Sequence, residues 1–326
     1  MRAVIPVAGF GTRLRPHTYT VPKVLLNVAG KPILAHILDS LVASGIEQVT
    51  IVVGHMGDQI EQYVRARYAS LQLDFVEQSE PLGLGHAIWC ARETVGSGPI
   101  FIILGDTIFD ADISTMLQLP TSAIGVKWVE DPRRFGVVEV RDGIVTTLVE
   151  KPQHPTSNLA IVGMYLIRNT PLLIECLDHL IAHNSRTRGE FQLTDALQCM
   201  VERGETIAAF PIEGWYDCGK PETLLQTNRF LLDRHMRSIA PPNNSIVIPP
   251  SYVAPTAVLE RSIVGPYATI ADGATIRDSH VQNSIVGAGA SVTAALLNNS
   301  IVGNNAVVCG SFHQLNVGDS SQINYA

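Results

Sequence analysis

Residues 8 to 23 read AGFGTRLRPHTYTVPK, and they bring two glycines and several cations into one short stretch. After Ala8, backbone amides left bare at Gly9 and Gly11 can approach the oxygens of an anion closely and donate to them. Arg13 offers a planar fork suited to two phosphate oxygens, whereas Lys23 offers a mobile point charge. Two familiar phosphate loops do not fit. A GxxxxGK[ST] loop needs a lysine after its second glycine, and a GxGxxG loop needs a third glycine where Leu14 stands. The stretch is an anion cradle of another kind, or a solvated basic turn.

Acids and amides elsewhere could serve the same site. Asp106 closes the apolar run PIFIILGD, and Asp217 lies in GWYDCG, which reads as a second strand end. A strand-end aspartate can hold a hard cation through oxygen, or it can simply cap the next helix. Gln78 and Gly83 lie in EQSEPLGLGHA. A glutamine amide both donates and accepts, so it can pair with a ligand edge that does the same. The plainer alternative is a surface turn built by Pro81 and Gly83, with His86 packing in the helix that follows. His179 and His183 have no acid between them and read as helix surface.

These residues need elements to position them. RAVIPVA is a short apolar run of the kind that forms a buried parallel strand. PILAHILDSLVASG then reads as a helix, with Ile33, Leu34, Ile37, Leu38, Leu41 and Val42 on one face and Gly45 at its end. QVTIVVG, DQIEQYVRARYA, QLDFVEQ, GLGHAIWCARETV and PIFIILGD continue the alternation of strand and helix. The pattern up to about residue 236 predicts an α/β domain, Rossmann-like, with a mostly parallel sheet. Ligands of such sheets bind at the carboxyl ends of the strands, where the glycine-rich stretch, Gln78 and Asp106 should meet.

After PPNN the periodicity changes. SIVG occurs at 262–265, 284–287 and 300–303, with SIVI at 245–248, so the repeats are 17, 22 and 16 residues apart. Near-hexads such as VAPTAV, IADGAT and VGAGAS run between them. Three hexads make one triangular coil of a left-handed parallel β-helix, whose inward aliphatic residues stack from coil to coil. Residues 245–326 are expected to hold about four such coils and a polar tail, LNVGDSSQINYA.

The formal charge of −7 excludes a general affinity for nucleic acid or anionic membranes, so any basic site is local. The five cysteines are scattered without a CxxC pair, which suits a reducing compartment and no zinc knuckle. No run reaches the roughly 18 apolar residues of a membrane span, and the first apolar run breaks too early for a signal peptide. A soluble, cytoplasmic protein is expected.

The motifs PVAGFGTRLRP, PK and GKPIL, followed in order by EPLGLGHA, LGD, DPRRFGVVEV, LVEKP, RGEFQLTDA and GWYDCGKPETLLQTN, span essentially all of residues 1–236. This series resembles the signature of the sugar-1-phosphate nucleotidylyltransferases. With the β-helix it is most similar to the long glucose-1-phosphate thymidylyltransferases; bacterial UDP-glucose pyrophosphorylases share two of the motifs.

The resemblance implies one displacement, in which a sugar 1-phosphate oxygen attacks the α-phosphorus of dTTP or UTP and pyrophosphate leaves. It places Ala8, Gly9, Gly11 and Arg13 on the triphosphate, Lys23 on the reacting phosphates, and Gln78 and Gly83 on the base. Asp106 and Asp217 would hold Mg2+. Lys151 would bind the sugar phosphate, Glu150 the sugar hydroxyls, and Gly136, Tyr165 and Arg188 further parts of the same substrate. The family usually has asparagine after the first aspartate, whereas Thr107 stands here. Because neighbours on a strand point to opposite faces, either Glu150 or Lys151 has to reach round the strand end. A bifunctional enzyme with acyltransfer in its β-helix is the rival reading, with only His280 and His313 to serve it, and a silent regulatory paralogue is another. The β-helix is expected to join subunits into a homo-oligomer.

Overall fold

In the computed structural model, which describes residues 1–234 and 244–310, the opening apolar run becomes a central strand. This strand, β1 (Arg2–Pro6), buries Ala3, Val4 and Ile5 completely, as a strand covered on both faces must. Parallel neighbours flank it: β2 (Gln48–Val53), then β3 (Gln72–Glu77), on one side, and β4 (Ile100–Ile103) on the other. Five more strands extend the sheet, β5 (Ser122–Trp128), β6 (Gly136–Arg141), β7 (Ile144–Glu150), β8 (Leu159–Ile167) and β9 (Ile207–Pro211). The order across its nine strands is β3-β2-β1-β4-β8-β5-β9-β7-β6.

The alternation read from the sequence gives the parallel half, β3 to β4. Beyond β4 the sheet is mixed, because β8 runs antiparallel to both β4 and β5, and β6 and β7 form a tight hairpin. The register of β8 against β5 shifts between Ile161 and Tyr165. At this irregularity Gly163 has φ 101° and accepts from the Leu104 N–H at 3.0 Å. A Cβ at Gly163 would stand 2.4 Å from the Leu104 side chain, so the chain leaving β4 can pass only beside a glycine.

Helix Ile33–Ala43 buries Ile33, Leu34, Ile37, Leu38 and Leu41 as its spacing predicts, whereas Val42 is exposed. Gly45 follows in the left-handed region and closes the helix. The run GLGHAIWCARETV is two short helices, Leu84–Cys90 and Arg92–Val95, meeting at Ala91. Past β4 the chain forms a separate two-stranded ribbon, Thr107–Asp110 against Gly214–Asp217, with Asp217 opposite Thr107.

Two compact units make up the chain. The first comprises Met1–Leu26 and Lys31–Thr227, and the second Asn27–Gly30 with the chain from Asn228 onward. Within the second, the Ala29 N–H donates to Asn228 Oδ1 at 2.8 Å, and a Cβ at Gly30 would collide with the Tyr252 ring at 2.6 Å. A four-residue insert in the N-terminal motif thus belongs with the C-terminal unit.

That unit is the expected left-handed β-helix, with four parallel strands stacked on each of three faces. Val264, Ile270, Ile276, Val281, Val286 and Val292 are fully buried in its interior. The SIVG repeats do not all share a face. Ile246 and Ile263 are partners on one, whereas Ile285 and Ile301 are partners on the next. The 22-residue interval is therefore one coil plus one side of the triangle. Residues 235–243, which hold most of PPNN, lie outside the described residues, as do the polar tail and His313.

Ile276→Ala removes methyl and methylene groups from the middle of this stack. We expect a loss of roughly 2–4 kcal/mol, read as a lower urea midpoint for the second unit; an unchanged midpoint would contradict a packed interior.

Candidate active site

The glycine-rich stretch leaves β1 and folds into three single 3-10 turns, Thr12–Leu14, His17–Tyr19 and Lys23–Leu25. Gly11 has φ 62°, and its carbonyl accepts from the Thr18 hydroxyl at 2.8 Å and the Leu14 N–H at 2.9 Å. A Cβ there would press to 3.0 Å against the side chains of Lys23 and Thr18. At Gly9, by contrast, a Cβ would meet nothing within 4 Å. Ala8 is half-buried, Gly9 is exposed, and Arg13 is exposed beyond them.

Lys23 is not the mobile charge expected of a loop lysine. It is buried, and its ammonium lies 2.5 Å from Asp106 Oδ2. Burial pushes the Asp106 carboxyl up, but the Lys23 ammonium, the Thr107 hydroxyl and Arg13 outweigh it and hold the group below the ordinary carboxylate range. Asp106 is therefore ionised at neutral pH. Thr107, buried, donates to Asp106 Oδ1 at 3.2 Å, which gives the residue that replaces the family's asparagine a supporting role.

The ribbon brings Asp217 beside Asp106. Asp217 pairs with Thr107, and the Cys218 N–H donates to the Asp106 carbonyl at 3.0 Å. A Cβ on Gly219 would stand 2.7 Å from Asp217 Oδ1 and 2.8 Å from Arg13 Nη2, so only glycine fits where these two charges converge. No group of three or more His, Cys, Asp or Glu side chains suited to a metal occurs among the described residues. Two carboxylates at neighbouring strand ends, open to phosphate oxygens and water, still fit Mg2+, which takes few ligands from protein.

A cavity of about 740 Å³ opens in front of this group, lined by Arg13, Asp106, Asp217, Gly136, Glu150, Lys151 and Tyr165. Lys151 follows β7 with φ 42°, and this left-handed residue turns its ammonium back to 2.9 Å from Glu150 Oε1. It is Lys151, through its backbone, that reaches round the strand end. Thr194 donates to Glu150 Oε2 at 2.7 Å, and a Cβ on Gly136 would crowd both Glu150 and Thr194. Tyr165 is buried, and burial with the Glu150 charge raises the pKa of its hydroxyl, so it stays protonated. Arg188 does not line the cavity; its guanidinium donates to the Lys151 carbonyl at 2.6 Å.

Gln78 and Gly83 belong to the other side of the loop. Gln78 directly follows β3, is 7% exposed, and lines a second cavity of about 570 Å³ with Phe10. Its Nε2 donates to the Gly83 carbonyl at 3.0 Å and lies 3.0 Å from His86 Nδ1. Gly83 has φ 111°, and a Cβ would collide with the Phe191 carbonyl at 2.6 Å. The stretch from Phe10 to Arg13 and that from Gln78 to Leu84 each run from the second cavity to the first.

Sequence reading missed Thr194, Glu190, Gln192, Trp215 and Lys220, all of which line the larger cavity. They lie in RGEFQLTDA and GWYDCGK, the blocks that also supply Arg188 and Asp217. Cys218 is fully buried beside the two acids, and burial pushes its thiol up to about 12, so it offers no thiolate.

Comparison with known proteins assigns the chain. The nucleotidyl transferase family model matches residues 2–234. A glucose-1-phosphate thymidylyltransferase of Streptomyces griseus is 33% identical, over 89% of this chain and 88% of its own. The low-salt glycan biosynthesis nucleotidyltransferase Agl11 of Haloferax volcanii is 31% identical, over 88% and 87%. The chain belongs to the sugar-1-phosphate nucleotidylyltransferase family. Among solved structures, a UDP-glucose pyrophosphorylase complexed with UDP-glucose overlays 72% of this chain and 99% of its own, with TM-score 0.62 and 26% identity. The UDP-glucose pyrophosphorylase of Acinetobacter baumannii gives TM-score 0.61, also at 26% identity, over 72% of this chain and 94% of its own.

In this sugar nucleotidyltransferase, Thr194→Val should free Glu150 from its hydroxyl donor while leaving Lys151 in place. We expect KM for the sugar 1-phosphate to rise about tenfold with KM for the nucleotide unchanged, the cost of one charge-assisted hydrogen bond. Steady-state kinetics with each substrate varied in turn will show it, and equal rises in both constants would place Glu150 elsewhere.

Proposed function

We propose that the protein is a glucose-1-phosphate thymidylyltransferase, making dTDP-glucose and pyrophosphate from dTTP and glucose 1-phosphate with Mg2+. The observation that carries this reading is the pair of cavities on either side of the loop 8–13, one presenting a glutamine amide and the other a cluster of cations and acids. The Streptomyces griseus thymidylyltransferase, alike along nearly its whole length, supports dTTP. UTP is the second reading. A Haloferax volcanii UTP–glucose-1-phosphate uridylyltransferase is 35% identical over 68% of this chain, and uracil differs from thymine by one methyl group. A methyl in an apolar pocket separates the two by only about 1–3 kcal/mol.

In this account the amides at Gly9 and Gly11 and the Arg13 guanidinium receive the triphosphate, with Ala8 at the edge of the loop. Lys23 faces the α-phosphate, where charge builds as the bond forms. Lys151 steadies the sugar phosphate, with Arg188 holding Lys151 by its carbonyl, and Glu150, Gly136 and Tyr165 shape the sugar side. An oxygen of glucose 1-phosphate attacks the α-phosphorus, and the bond to pyrophosphate breaks. Alignment and charge neutralisation supply the rate, so no enzyme nucleophile is required. Mg2+, when bound, would be held by Asp106 and Asp217 and would neutralise phosphate oxygens.

We place this work in the cytoplasm, since all five cysteines are free and no helix among the described residues is long and apolar enough to cross a membrane. The β-helix carries no chemistry in this reading and joins subunits; exposed Ile246, Leu296 and Val307 on its outer faces favour self-association.

The direct test is pyrophosphate release across a matrix of nucleoside triphosphates and sugar 1-phosphates. We expect Mg2+-dependent release with dTTP and glucose 1-phosphate and much poorer rates with purines; equal rates with ATP and dTTP would sink the base assignment. Asp106→Asn and Asp217→Asn should each lower kcat at least about a hundredfold in protein with a native circular dichroism spectrum. Near-normal turnover in either, at saturating magnesium, would reduce that aspartate to a cap.

A further inference from the structure

The sequence assigns His86 to helix packing, yet its ring contacts the one amide read as facing the base. Gln78 Nε2 lies 3.0 Å from the Gly83 carbonyl, which can only accept, so the nitrogen side of the amide is fixed there. Its second N–H meets His86 Nδ1, also at 3.0 Å. Nδ1 must then be an acceptor, with the ring proton on Nε2. Every contact of the ring suits that neutral tautomer. Burial holds His86 below the ordinary imidazole range, and Arg186 and Arg92 add to this against Glu80. The ring stacks on Trp89 at 5.7 Å between centroids and tilts against Phe191 at 6.4 Å. Trp89 carries the Arg92 guanidinium at 3.8 Å, and Phe191 carries that of Arg186 at 4.5 Å. Cys90 Sγ lies 3.9 Å from the ring nitrogens, and burial raises its thiol, so it brings no negative charge.

With Nε2 held on two acceptors, Gln78 Oε1 is turned the other way, and it takes no protein hydrogen bond among the described residues. We propose that His86 is a positioning residue, which locks the Gln78 amide with its oxygen toward the nucleobase and so selects the N3–H of thymine or uracil against the N3 lone pair of cytosine. The proposal rests on the reading of Gln78 as the base contact. An amide free to turn over would present N–H instead and accept cytosine, so discrimination between the pyrimidines depends on what holds the nitrogen side. Gly83 supplies one restraint, and His86 supplies the other.

The test compares kcat/KM for UTP with CTP, and for dTTP with 5-methyl-dCTP; each pair differs only at N3 and the 4-substituent. His86→Leu leaves a buried amide N–H unpaired, and we expect it to lower both ratios at least about tenfold with KM for glucose 1-phosphate unchanged. His86→Asn sets Oδ1 in the place of Nδ1 and should restore the ratios, which a purely packing role would not predict. Gln78→Leu is the control and should abolish discrimination. Unchanged ratios in His86→Leu with lost discrimination in Gln78→Leu would overturn the proposal and spare the base reading. Unchanged ratios in Gln78→Leu would overturn both. Equal losses in His86→Leu and His86→Asn would show that the ring serves packing alone.

Discussion

The site is organised around the ion pair between Lys23 and Asp106. An ammonium buried to 8% exposure is costly unless paired, and the carboxylate 2.5 Å away offsets that cost. The pair ties the glycine-rich loop after β1 to the chain leaving β4. Once those segments are joined, no room is left for a side chain at Gly11 beside Lys23, and Arg13 and Asp217 converge over the bare Gly219. Thr107 closes the other side of the carboxylate. Substitution of either charge would leave its partner uncompensated, while the ribbon keeps its backbone bond from the Cys218 N–H to the Asp106 carbonyl.

Around that pair the protein arranges charge. The thiol nearest the acids is buried and protonated, and the His86 imidazole is neutral and engaged with the Gln78 amide. Glu150 and Lys151 face each other because a left-handed residue follows the strand. Cations and carboxylates are thus interleaved across the cavity, which lets a doubly anionic sugar phosphate and a triphosphate approach each other without prohibitive repulsion.

Much of the fold is legible in the sequence because the apolar runs are long and their periods distinct. RAVIP and IFII are buried on both faces and read as parallel strands; the hexads of the second unit stack as expected. What the sequence hides is geometric. Nothing in it says that β8 runs against its neighbours, that Asn27–Gly30 joins the C-terminal unit, or that SIVG repeats change face after a 22-residue interval. The site shows the same division. Motifs name Asp106, Asp217, Glu150 and Lys151, which the fold does gather in one cavity. They do not show that Lys23 is buried, that Arg188 acts on a carbonyl, or that Thr194 and His86 contact Glu150 and Gln78, because these are contacts between blocks distant in the chain or across the loop that precedes a helix.

The proposed reaction is a direct displacement between two bound phosphates. The stereochemical course at the α-phosphorus tests it most directly, using dTTP that carries sulfur on the α-phosphate in one configuration. One in-line displacement predicts inversion in the thio-substituted nucleotide sugar. Retention would require two displacements, and hence a nucleotidylated side chain that this account does not contain.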